Sequence, residues 1–387
     1  MMKVGAVQAR NALWHVHNFG RSKRWRGKAG VLAMFSRHPV VQSDPIDIAG
    51  RSHDLMIHSR VDGYNPLHLD SLLYEDRALF EYYCKMASII PMETYPVFGH
   101  FRKKQALANK PRLCKYRKEA EEILEAMARA PVCSRDFEGE KTDHWWGRAK
   151  IHRIVLEDLF TEGRIVIHHR KSGVKYYTSP EKTVPKRLLE VEPPGQEGYL
   201  KAKAALIARS SRLVSPNGGA YAGFGESPSA PGAKRALSAL VEDGTIMEVS
   251  IEGWRGSCYI PKDDEDVWRD PPEPSNEMRF LAPLDPLIWN RRLFSHIYGN
   301  GYTWEVYKRP SERVYGYYCL PMLWKGQYAG LIEPFLRKKD CVLEVRSMNL
   351  FKDFDSRQLR GPLNEAMAVL AKYTGTETVA WDEGARN

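Results

Sequence analysis

The clearest structural pattern in the sequence lies in GRAKIHRIVLEDLFTEGRIVIHHRKSGVKYYTSP, residues 147–180. A helix is predicted at the start of this segment, because four apolar residues fall on one of its faces: Ile151, Ile154, Val155 and Leu159. Gly163 predicts the end of this helix, because glycine readily adopts the left-handed conformation common after a last helical turn. The strands Arg164–His169 and Val174–Thr178 follow on either side of a Lys-Ser-Gly turn. The segment therefore predicts a helix followed by a tight β-hairpin.

The same plan recurs in GAKRALSALVEDGTIMEVSIEGWRGSCYIP, residues 232–261. A helical pattern again precedes a glycine, and two predicted strands again flank a turn. Gly244 lies 81 residues after Gly163, and Pro261 lies 81 residues after Pro180. The equal spacing of the helix stop and the closing proline indicates that one architecture occurs twice.

A helix followed by a hairpin is the second half of a winged-helix module, in which one helix commonly enters the DNA major groove. A looser third copy is predicted in Leu69–Pro91, where helix-like and strand-like pieces also end in proline. We therefore predict an α+β fold with tandem winged-helix domains. A winged helix can also serve as a protein-docking module, so the fold alone leaves the partner open.

Composition suggests where the domains meet, and 387 residues accommodate two to four of them. The Pro/Gly-rich segment Leu188–Tyr199 separates the two clear copies, and the acidic, proline-rich segment Lys262–Met278 precedes a different C-terminal part. We predict four domains, at residues 1–130, 131–192, 193–272 and 273–387.

The C-terminal part alternates apolar and polar residues, which predicts strands, one of them in Cys341–Leu350. It ends in a predicted helix, Leu359–Tyr373, with Leu363, Met367 and Leu370 on one face. Between Tyr302 and Leu320 we predict a β-hairpin with three basic residues at its tip: Lys308, Arg309 and Arg313. Such a finger can press into a groove of a nucleic acid. The alternative is that these charges only protect an exposed hairpin end.

The composition of the chain and the spacing of its cysteines and histidines argue against several classes of protein. An apolar content of 43% is that of a globular chain, and the short apolar runs predict neither a signal peptide nor a membrane span, so we expect a cytoplasmic protein with no membrane partner. The six cysteines form no CxxC pair, and the twelve histidines show no zinc spacing. The glycine-rich segment Ser215–Gly232 lacks GxGxxG and GK[ST], so it is interpreted as an insertion. We therefore expect no metal and no cofactor.

Positive charge is concentrated in two places. The net charge is +10, and residues 1–60 alone carry ten Lys and Arg against three Asp and Glu. The segment Phe101–Lys118 holds eight basic and no acidic residues, among them Lys103 and Lys104. Concentrated positive charge favours a polyanion partner, because each Lys or Arg on a phosphate releases condensed counterions. The alternative is a solvated basic face.

The stretch VVQSDPIDIAGRSHDL, residues 40–55, raises a question of chemistry. Asp44 followed by Pro45 is a common start of a helix, so capping is one explanation of the carboxylate. Capping leaves Gln42 and the surrounding basic residues unexplained. If a regular helix follows Asp44, Arg51 lies about two turns further on nearly the same face, which makes it a better phosphate ligand than His53.

Six segments in this order resemble the AlkZ/YcaQ family of bacterial winged-helix DNA glycosylases. They are VQSDPIDIAGRSHDL, FEYYCKMASIIPMETYPVF, TDHWWGRAK, EGWRGSCYIP, FLAPLDPLIWNRRL and RVYGYYCLP. The resemblance implies three tandem winged helices in a C-shaped arrangement around a basic, concave face, followed by a small β-rich, barrel-like domain. Its active-site motif is Gln-x-Gln in one branch and Gln-x-Asp in the other, and Gln42-Ser43-Asp44 is similar to the second. Ser43 departs from the apolar residue usual there.

The resemblance implies a monofunctional DNA glycosylase that removes N7-alkylated purines and unhooks interstrand crosslinks from double-stranded DNA. Asp44 would stabilise positive charge on the sugar and take a proton from the attacking water, while Gln42 would orient that water. We expect Arg51, His53 and Lys150 to contact DNA, or to make structural hydrogen bonds instead. Trp145 and Trp146 match the family's tryptophan segment and are expected mainly to pack.

Three further expectations complete the prediction. The protein is expected to be a monomer that acts in the bacterial cytosol or nucleoid. Because no lysine lies beside the motif, water is expected as the nucleophile, with an abasic site as the product. The alternatives are a non-catalytic winged-helix DNA-binding protein or transcription regulator, and an RNA-binding module. A regulator has little use for an acid facing DNA, and no RNP-like aromatic strand favours RNA.

Overall fold

The computed structural model describes residues 1–20, 25–144, 147–216 and 231–382. Trp145 and Trp146, and most of the glycine-rich segment Ser215–Gly232, lie outside these ranges, so their predicted roles stay predictions. Contacts divide the chain into two units. The first comprises Met1–His68, Cys84–Met86 and Ala204–Asn387, and the second comprises Leu69–Tyr83 and Ala87–Lys203.

Both helices and strands occur throughout the described ranges, as expected for an α+β fold. The helices of the described ranges are α1 (Ala6–Val16), α2 (Gly27–Arg37), α3 (Ser52–His58), α4 (Pro66–Tyr74), α5 (Gly99–Lys115), α6 (Arg117–Arg129), α7 (Ile151–Thr161), α8 (Lys186–Leu189), α9 (Gln196–Ser211), α10 (Pro231–Glu242), α11 (Glu265–Arg269), α12 (Arg291–Tyr298) and α13 (Ser356–Thr374). The strands are β1 (Met2–Val4), β2 (Val41–Gln42), β3 (Leu79–Cys84), β4 (Met86–Pro91), β5 (Lys141–His144), β6 (Gly147–Lys150), β7 (Val166–Lys171), β8 (Val174–Thr178), β9 (Ile246–Ile251), β10 (Cys258–Pro261), β11 (Met278–Phe280), β12 (Leu320–Trp324), β13 (Gln327–Arg337), β14 (Val342–Leu350) and β15 (Thr378–Trp381).

Both copies of the predicted repeat have the expected plan. Helix α7 precedes the antiparallel hairpin β7–β8, and helix α10 precedes the antiparallel hairpin β9–β10. Gly163 and Gly244 both have positive φ, 75° and 74°, which an L side chain rarely adopts. The looser third copy is present as α4, β3 and β4. The helix-and-hairpin plan is therefore confirmed, while its grouping into winged-helix domains remains an interpretation.

The N-terminal strand of the first unit pairs with a strand from much later in the chain. Strand β1 pairs in parallel with β9, from Met2 opposite Val249 to Val4 opposite Ile251, so the N-terminus completes the sheet of the second repeat copy. A shared core follows from this pairing and includes Trp14, Trp268, Phe294 and Tyr328. Residues of α1 and α12 meet in this core, which joins the N-terminal segment to the C-terminal part.

The C-terminal part contains a five-stranded sheet in the order β11-β12-β13-β14-β15, curled into a half-barrel. Helix α13 packs beside it and buries Leu363, Met367 and Leu370, which the sequence pattern placed on one face. The predicted terminal helix and the strand in Cys341–Leu350 are thus confirmed.

The predicted hairpin between Tyr302 and Leu320 is wrong. Residues 301–319 form a loop with a single 3-10 turn at Pro310–Glu312, and the strand β12 begins only at Leu320. The buried carboxylate of Glu305 explains the loop, because its Oε2 accepts the backbone N–H groups of Val314, Tyr315 and Gly316. These donors are satisfied by one side chain instead of by a partner strand.

The three basic residues therefore lie on this loop and not on a β-finger. Lys308 donates to Glu305 Oε1 at 2.7 Å. Arg313 donates to the Lys308 carbonyl at 3.1 Å and lies over the Tyr317 ring, 4.7 Å from its centroid. Arg309 stands at the start of the 3-10 turn, where its backbone N–H donates to Glu312.

A buried ionic network ties the end of α3 to the C-terminal part of the first unit. Arg60 donates to both oxygens of Asp285, at 2.7 and 2.8 Å, and both side chains are 0% exposed. The Arg60 nitrogen that donates to Asp285 Oδ1, Nη2, also lies 2.9 Å from Nδ1 of His17, whose ring stacks on His38 at 5.1 Å. We call Arg60, Asp285, His17 and His38 the Arg60 network.

Among the helices of the described ranges, none combines the length and the apolar character that crossing a membrane requires.

Candidate active site

The Gln-x-Asp motif lies in a loop and not at the start of a helix. Gln42 ends strand β2, and helix α3 begins only at Ser52. The capping interpretation of Asp44 is therefore wrong. Gly50 explains why, since its φ of +120° is not helical and a Cβ there would lie 2.8 Å from the Tyr373 ring. The predicted common face of Asp44 and Arg51 loses its basis, because no helix joins them.

Several bonds within the first unit fix this loop. Before the motif, the backbone N–H of Val40 donates to Ser210 Oγ at 2.8 Å. After it, the carbonyl of Ile48 accepts from Leu336 N at 3.0 Å, and the Asp47 carboxylate pairs with Lys338 at 2.9 Å. The motif is thus held from both sides by elements distant in sequence, which restricts its conformation.

Asp44 forms a local turn that leaves part of its carboxylate available. Its Oδ1 accepts the backbone N–H of Ile46 at 2.9 Å, and the described residues place no hydrogen bond on its Oδ2. Half-burial raises the pKa of Asp44 above its ordinary value, and the Ile46 N–H only partly opposes this. A partly buried carboxylate with a raised pKa and an open oxygen is a candidate general base.

Gln42 contributes a second available oxygen. Its Oε1 is buried and accepts no hydrogen bond from any residue in the described ranges. A buried carbonyl without a donor is costly, so such a group calls for an explanation by water or a ligand. Gln42 and Asp44 therefore bring two acceptors to the same short segment.

Next to the motif lies a paired cluster that the sequence did not reveal. Asp54 is 1% exposed and accepts from the Tyr64 hydroxyl at 2.5 Å and from Arg51 Nε at 2.6 Å. Burial, followed by the Asp54 charge and this hydrogen bond, raises the pKa of Tyr64. Tyr373 stacks beside Tyr64, and burial and Asp54 raise its pKa too.

Tyr318 is the other residue that sequence reasoning missed. It is 0% exposed, and its hydroxyl makes no hydrogen bond with the described residues. Burial raises the pKa of Tyr318, and the charge of Asp44 contributes more to this rise than Asp47 or Asp54 does. The segment RVYGYYCLP contains it, but nothing in that segment's sequence indicates that the charge of Asp44 acts on it.

The predicted DNA contacts fall into two groups. In the first unit, Arg51 pairs with Asp54 and its side chain is 30% exposed, whereas His53 is buried with Nε2 3.8 Å from Asp54. In the second unit, Lys103 and Lys104 lie exposed on α5, and Lys103 pairs with Glu192 at 3.4 Å.

Lys150, also in the second unit, is less available than expected. Its Nζ donates to the Phe137 carbonyl at 3.0 Å, at the start of α7. The geometry of Lys150, like the burial of His53, matches the structural alternative considered for both residues. Within the described ranges no three His, Cys, Asp or Glu residues are grouped as a metal site.

These observations show a carboxylate–amide pair in a loop that is bonded on both sides, and exposed basic residues on α5. A family model described as DNA glycosylase AlkZ-like matches residues 36–373. The chain belongs to this DNA glycosylase family, whose members act in DNA repair.

A solved structure supports the same fold. The chain is similar to the Streptomyces sahachiroi DNA glycosylase AlkZ, with a TM-score of 0.66 and 13% sequence identity, over 98% of this chain and 100% of that one. At this identity the match concerns the fold alone.

Proposed function

We propose that this protein is a monofunctional DNA glycosylase that excises N7-alkylated purines and unhooks interstrand crosslinks, with water as the nucleophile. The observation that carries the proposal is the pair formed by Gln42 and Asp44. Each offers an oxygen without a hydrogen bond from the described residues, and burial raises the pKa of the Asp44 carboxyl.

The chemistry follows from the charges involved. An N7-alkylated purine is cationic and leaves without being protonated, while the sugar gains positive charge as the bond at C1′ breaks. Asp44 stabilises this charge, and at ~4 Å with an effective dielectric near 20 the attraction reaches about 4 kcal/mol as an upper bound. Asp44 also takes a proton from the attacking water, which Gln42 Oε1 orients. The products are the free base and an abasic site.

Phosphate contacts are assigned to residues with exposed charge. These are Arg51, Lys103, Lys104 and the basic residues of the 301–319 loop, Lys308, Arg309 and Arg313. Each phosphate they neutralise releases counterions, so binding should weaken as salt rises. His53 and Lys150 are given structural roles because of their burial and their hydrogen bond.

The decisive test compares two carboxylates three residues apart. Duplex DNA containing N7-methylguanine, or a nitrogen-mustard crosslink, is incubated with the protein, and abasic sites are then cleaved with alkali. We expect Asp44→Asn to lower single-turnover excision about 10²- to 10⁴-fold, the usual range for a lost general base, with DNA affinity unchanged.

The matched control is Asp47→Asn, which removes the same charge from a carboxylate that pairs with Lys338. It should excise within a few-fold of the parent rate. If the two variants behave alike, Asp44 has no special role. If the parent protein excises neither substrate, the proposed substrates are wrong.

One observation favours testing a second mechanism. Lys85 lies in the first unit with its Nζ 5.2 Å from the Trp289 ring centroid, and burial, followed by the charge of Arg291, lowers its pKa to about 8. A lysine of this kind suits a lyase that forms a Schiff base with the sugar. We expect borohydride to trap no covalent DNA adduct, and a trapped adduct lost in Lys85→Arg would replace water by this amine.

A further inference from the structure

Helix α5 is attached to its unit along one side. Of its 17 residues, all within the described ranges, two are buried, Gly99 and Asn109. Asn109 Nδ2 donates to the Asp158 carbonyl at 3.2 Å and to Thr161 Oγ1 at 3.0 Å. Arg112 Nε donates to the Asp158 carboxylate at 2.6 Å. These bonds join α5 to helix α7, and the other side of α5 is left to solvent.

The side of α5 that faces solvent carries a concentrated positive charge. Four lysines on it are exposed: Lys103, Lys104, Lys110 and Lys115. Leu107 lies among them and is 76% exposed. Lys103 pairs with Glu192 at 3.4 Å, but both side chains stay largely exposed, and such surface pairs contribute little free energy. No acidic residue occurs from Phe101 to Lys118, so the helix itself does not offset this charge.

The spacing of the four lysines places them in two rows. At about 3.6 residues per turn, Lys103 and Lys110 lie about 20° apart around the helix axis. Lys104 and Lys115 are separated by about the same angle. The two rows lie about 120° from each other, and Leu107 falls between them. We call these four lysines and Leu107 the α5 lysine face, which extends about 18 Å along the helix at about 1.5 Å per residue.

Duplex DNA has the charge and the form that this face fits. A duplex carries phosphates on both sides of each groove, and the grooves are about 6 Å and about 12 Å wide. An α-helix with its side chains is about 10–12 Å across, so lysine rows on two sides of α5 can reach the phosphates of both strands. Each such contact releases condensed counterions. An acidic peptide offers a single line of charge, which would leave one lysine row unmatched.

We propose that the α5 lysine face is a docking surface for the phosphate backbone of duplex DNA, whether or not the duplex is damaged. It extends the contacts proposed for Lys103 and Lys104 to a whole helix face, which supplies affinity and takes no part in the chemical step. This division of tasks is based on the fold, because α5 belongs to the second unit, whereas Gln42 and Asp44 belong to the first. The effect on excision rests on the proposed function, but the binding of undamaged DNA does not.

The test neutralises the two lysine rows separately. The two α5 variants are Lys103→Gln/Lys110→Gln and Lys104→Gln/Lys115→Gln. All four side chains are exposed, so both variants should fold like the parent. Lys339→Gln/Lys352→Gln is the matched control, because it removes two exposed lysines from the first unit. Fluorescence anisotropy with an undamaged duplex at several salt concentrations measures the binding.

Each α5 variant should bind the undamaged duplex about 10-fold more weakly than the parent. The slope of the logarithm of the binding constant against the logarithm of the salt concentration should lessen by about 1.8, at about 0.9 per lost phosphate contact. The control should match the parent. With N7-methylguanine DNA, each α5 variant should need about 10-fold more protein for half-maximal single-turnover excision, while the rate at saturating protein stays at the parent value.

Parent-like affinity and salt slope in either α5 variant would overturn the proposal, and so would an equal loss in the control, which would indicate a response to net charge alone. A lower excision rate at saturating protein would also overturn it, because the face would then act in the chemical step. If the α5 variants lost binding of a fluorescent polyglutamate peptide but kept duplex binding, the face would belong to an acidic partner instead. If the parent binds undamaged duplex through this face but excises no alkylated purine, the proposed function fails and the docking surface stands.

Discussion

The first contact unit contains two groups of polar side chains that differ in how their carboxylate is paired. In the Arg60 network, Arg60 and Asp285 bond each other through two contacts, and His17 bonds Arg60. At the Gln42–Asp44 site, defined by these two residues, the Asp44 carboxylate accepts one backbone N–H and has no cationic partner among the described residues, and the buried Oε1 of Gln42 accepts no hydrogen bond from them.

The difference indicates what each group does. A buried ion pair with its hydrogen bonds made stabilises one arrangement of the chain, and removing one partner leaves an uncompensated charge. A half-buried carboxylate without a counter-charge costs free energy, and such a cost is tolerated where a substrate or water interacts with it. The comparison therefore assigns folding to the network and chemistry to the site.

The largest effect should come from breaking the network. Asp285→Ala leaves the Arg60 guanidinium buried without its carboxylate, so we expect a loss of about 3–5 kcal/mol in the free energy of unfolding. Urea unfolding measures it. Asp340→Ala, which removes an exposed carboxylate 3.6 Å from Arg337, is the control and should change stability little. Equal midpoints for parent and Asp285→Ala would contradict the structural role.

A second test uses pH on the same network. Burial, followed by the charge of Arg60, holds the pKa of His17 well below its ordinary value, and burial and Arg212 do the same for His38. Between the lowered folded pKa and the unfolded value of about 6.5, the unfolded chain binds more protons. Stability is therefore complete above about pH 6.5 and falls as the pH drops below it.

Urea unfolding at several pH values from 8 to 5 measures this fall. Carboxyls with a lowered pKa, such as Glu305, lose their contribution only below about pH 4.3, so they do not obscure this range. His38→Gln removes one titrating group and should flatten the curve between pH 6.5 and 5. A slope equal to that of the parent would mean that other groups cause the loss.

The sequence predicted local features well and distant contacts poorly. The helix stops at Gly163 and Gly244 follow from the conformational freedom of glycine, and the helix α13 follows from its apolar period. The alternation of apolar and polar residues between Tyr302 and Leu320 led to a wrong hairpin prediction. The backbone N–H groups there are bonded by Glu305 and not by a neighbouring strand. A side chain that bonds amides ten residues away has no periodic signature.

The same contrast between local features and distant contacts holds for the candidate active site. Gln42 and Asp44 were predicted from a short motif and its resemblance to a family, but the helix expected after them begins eight residues later, at Ser52. Tyr318 and Tyr373 lie far along the chain from Asp44 and Asp54, whose charges help raise the pKa values of these tyrosines. Sequence named the chemical groups of the motif, and only the fold revealed what surrounds them.

The smallest effect, and the sharpest contrast with Asp285, concerns the stability of Asp44→Asn. The pKa of Asp44 is raised in the folded protein, so the folded protein binds this proton more tightly than the unfolded chain does. The free energy of unfolding therefore falls as the pH rises through that pKa. At neutral pH the ionised Asp44 carboxylate lowers stability. Asparagine removes the charge and can still accept from the Ile46 N–H. We therefore expect the urea midpoint of Asp44→Asn at pH 7 to equal or slightly exceed that of the parent, and the difference to vanish below the pKa of an aspartate in the unfolded chain, about 3.9. A clear loss of stability at pH 7 would place Asp44 with Asp285 among the residues that hold the fold, and a carboxylate needed for folding would no longer be free to serve the reaction.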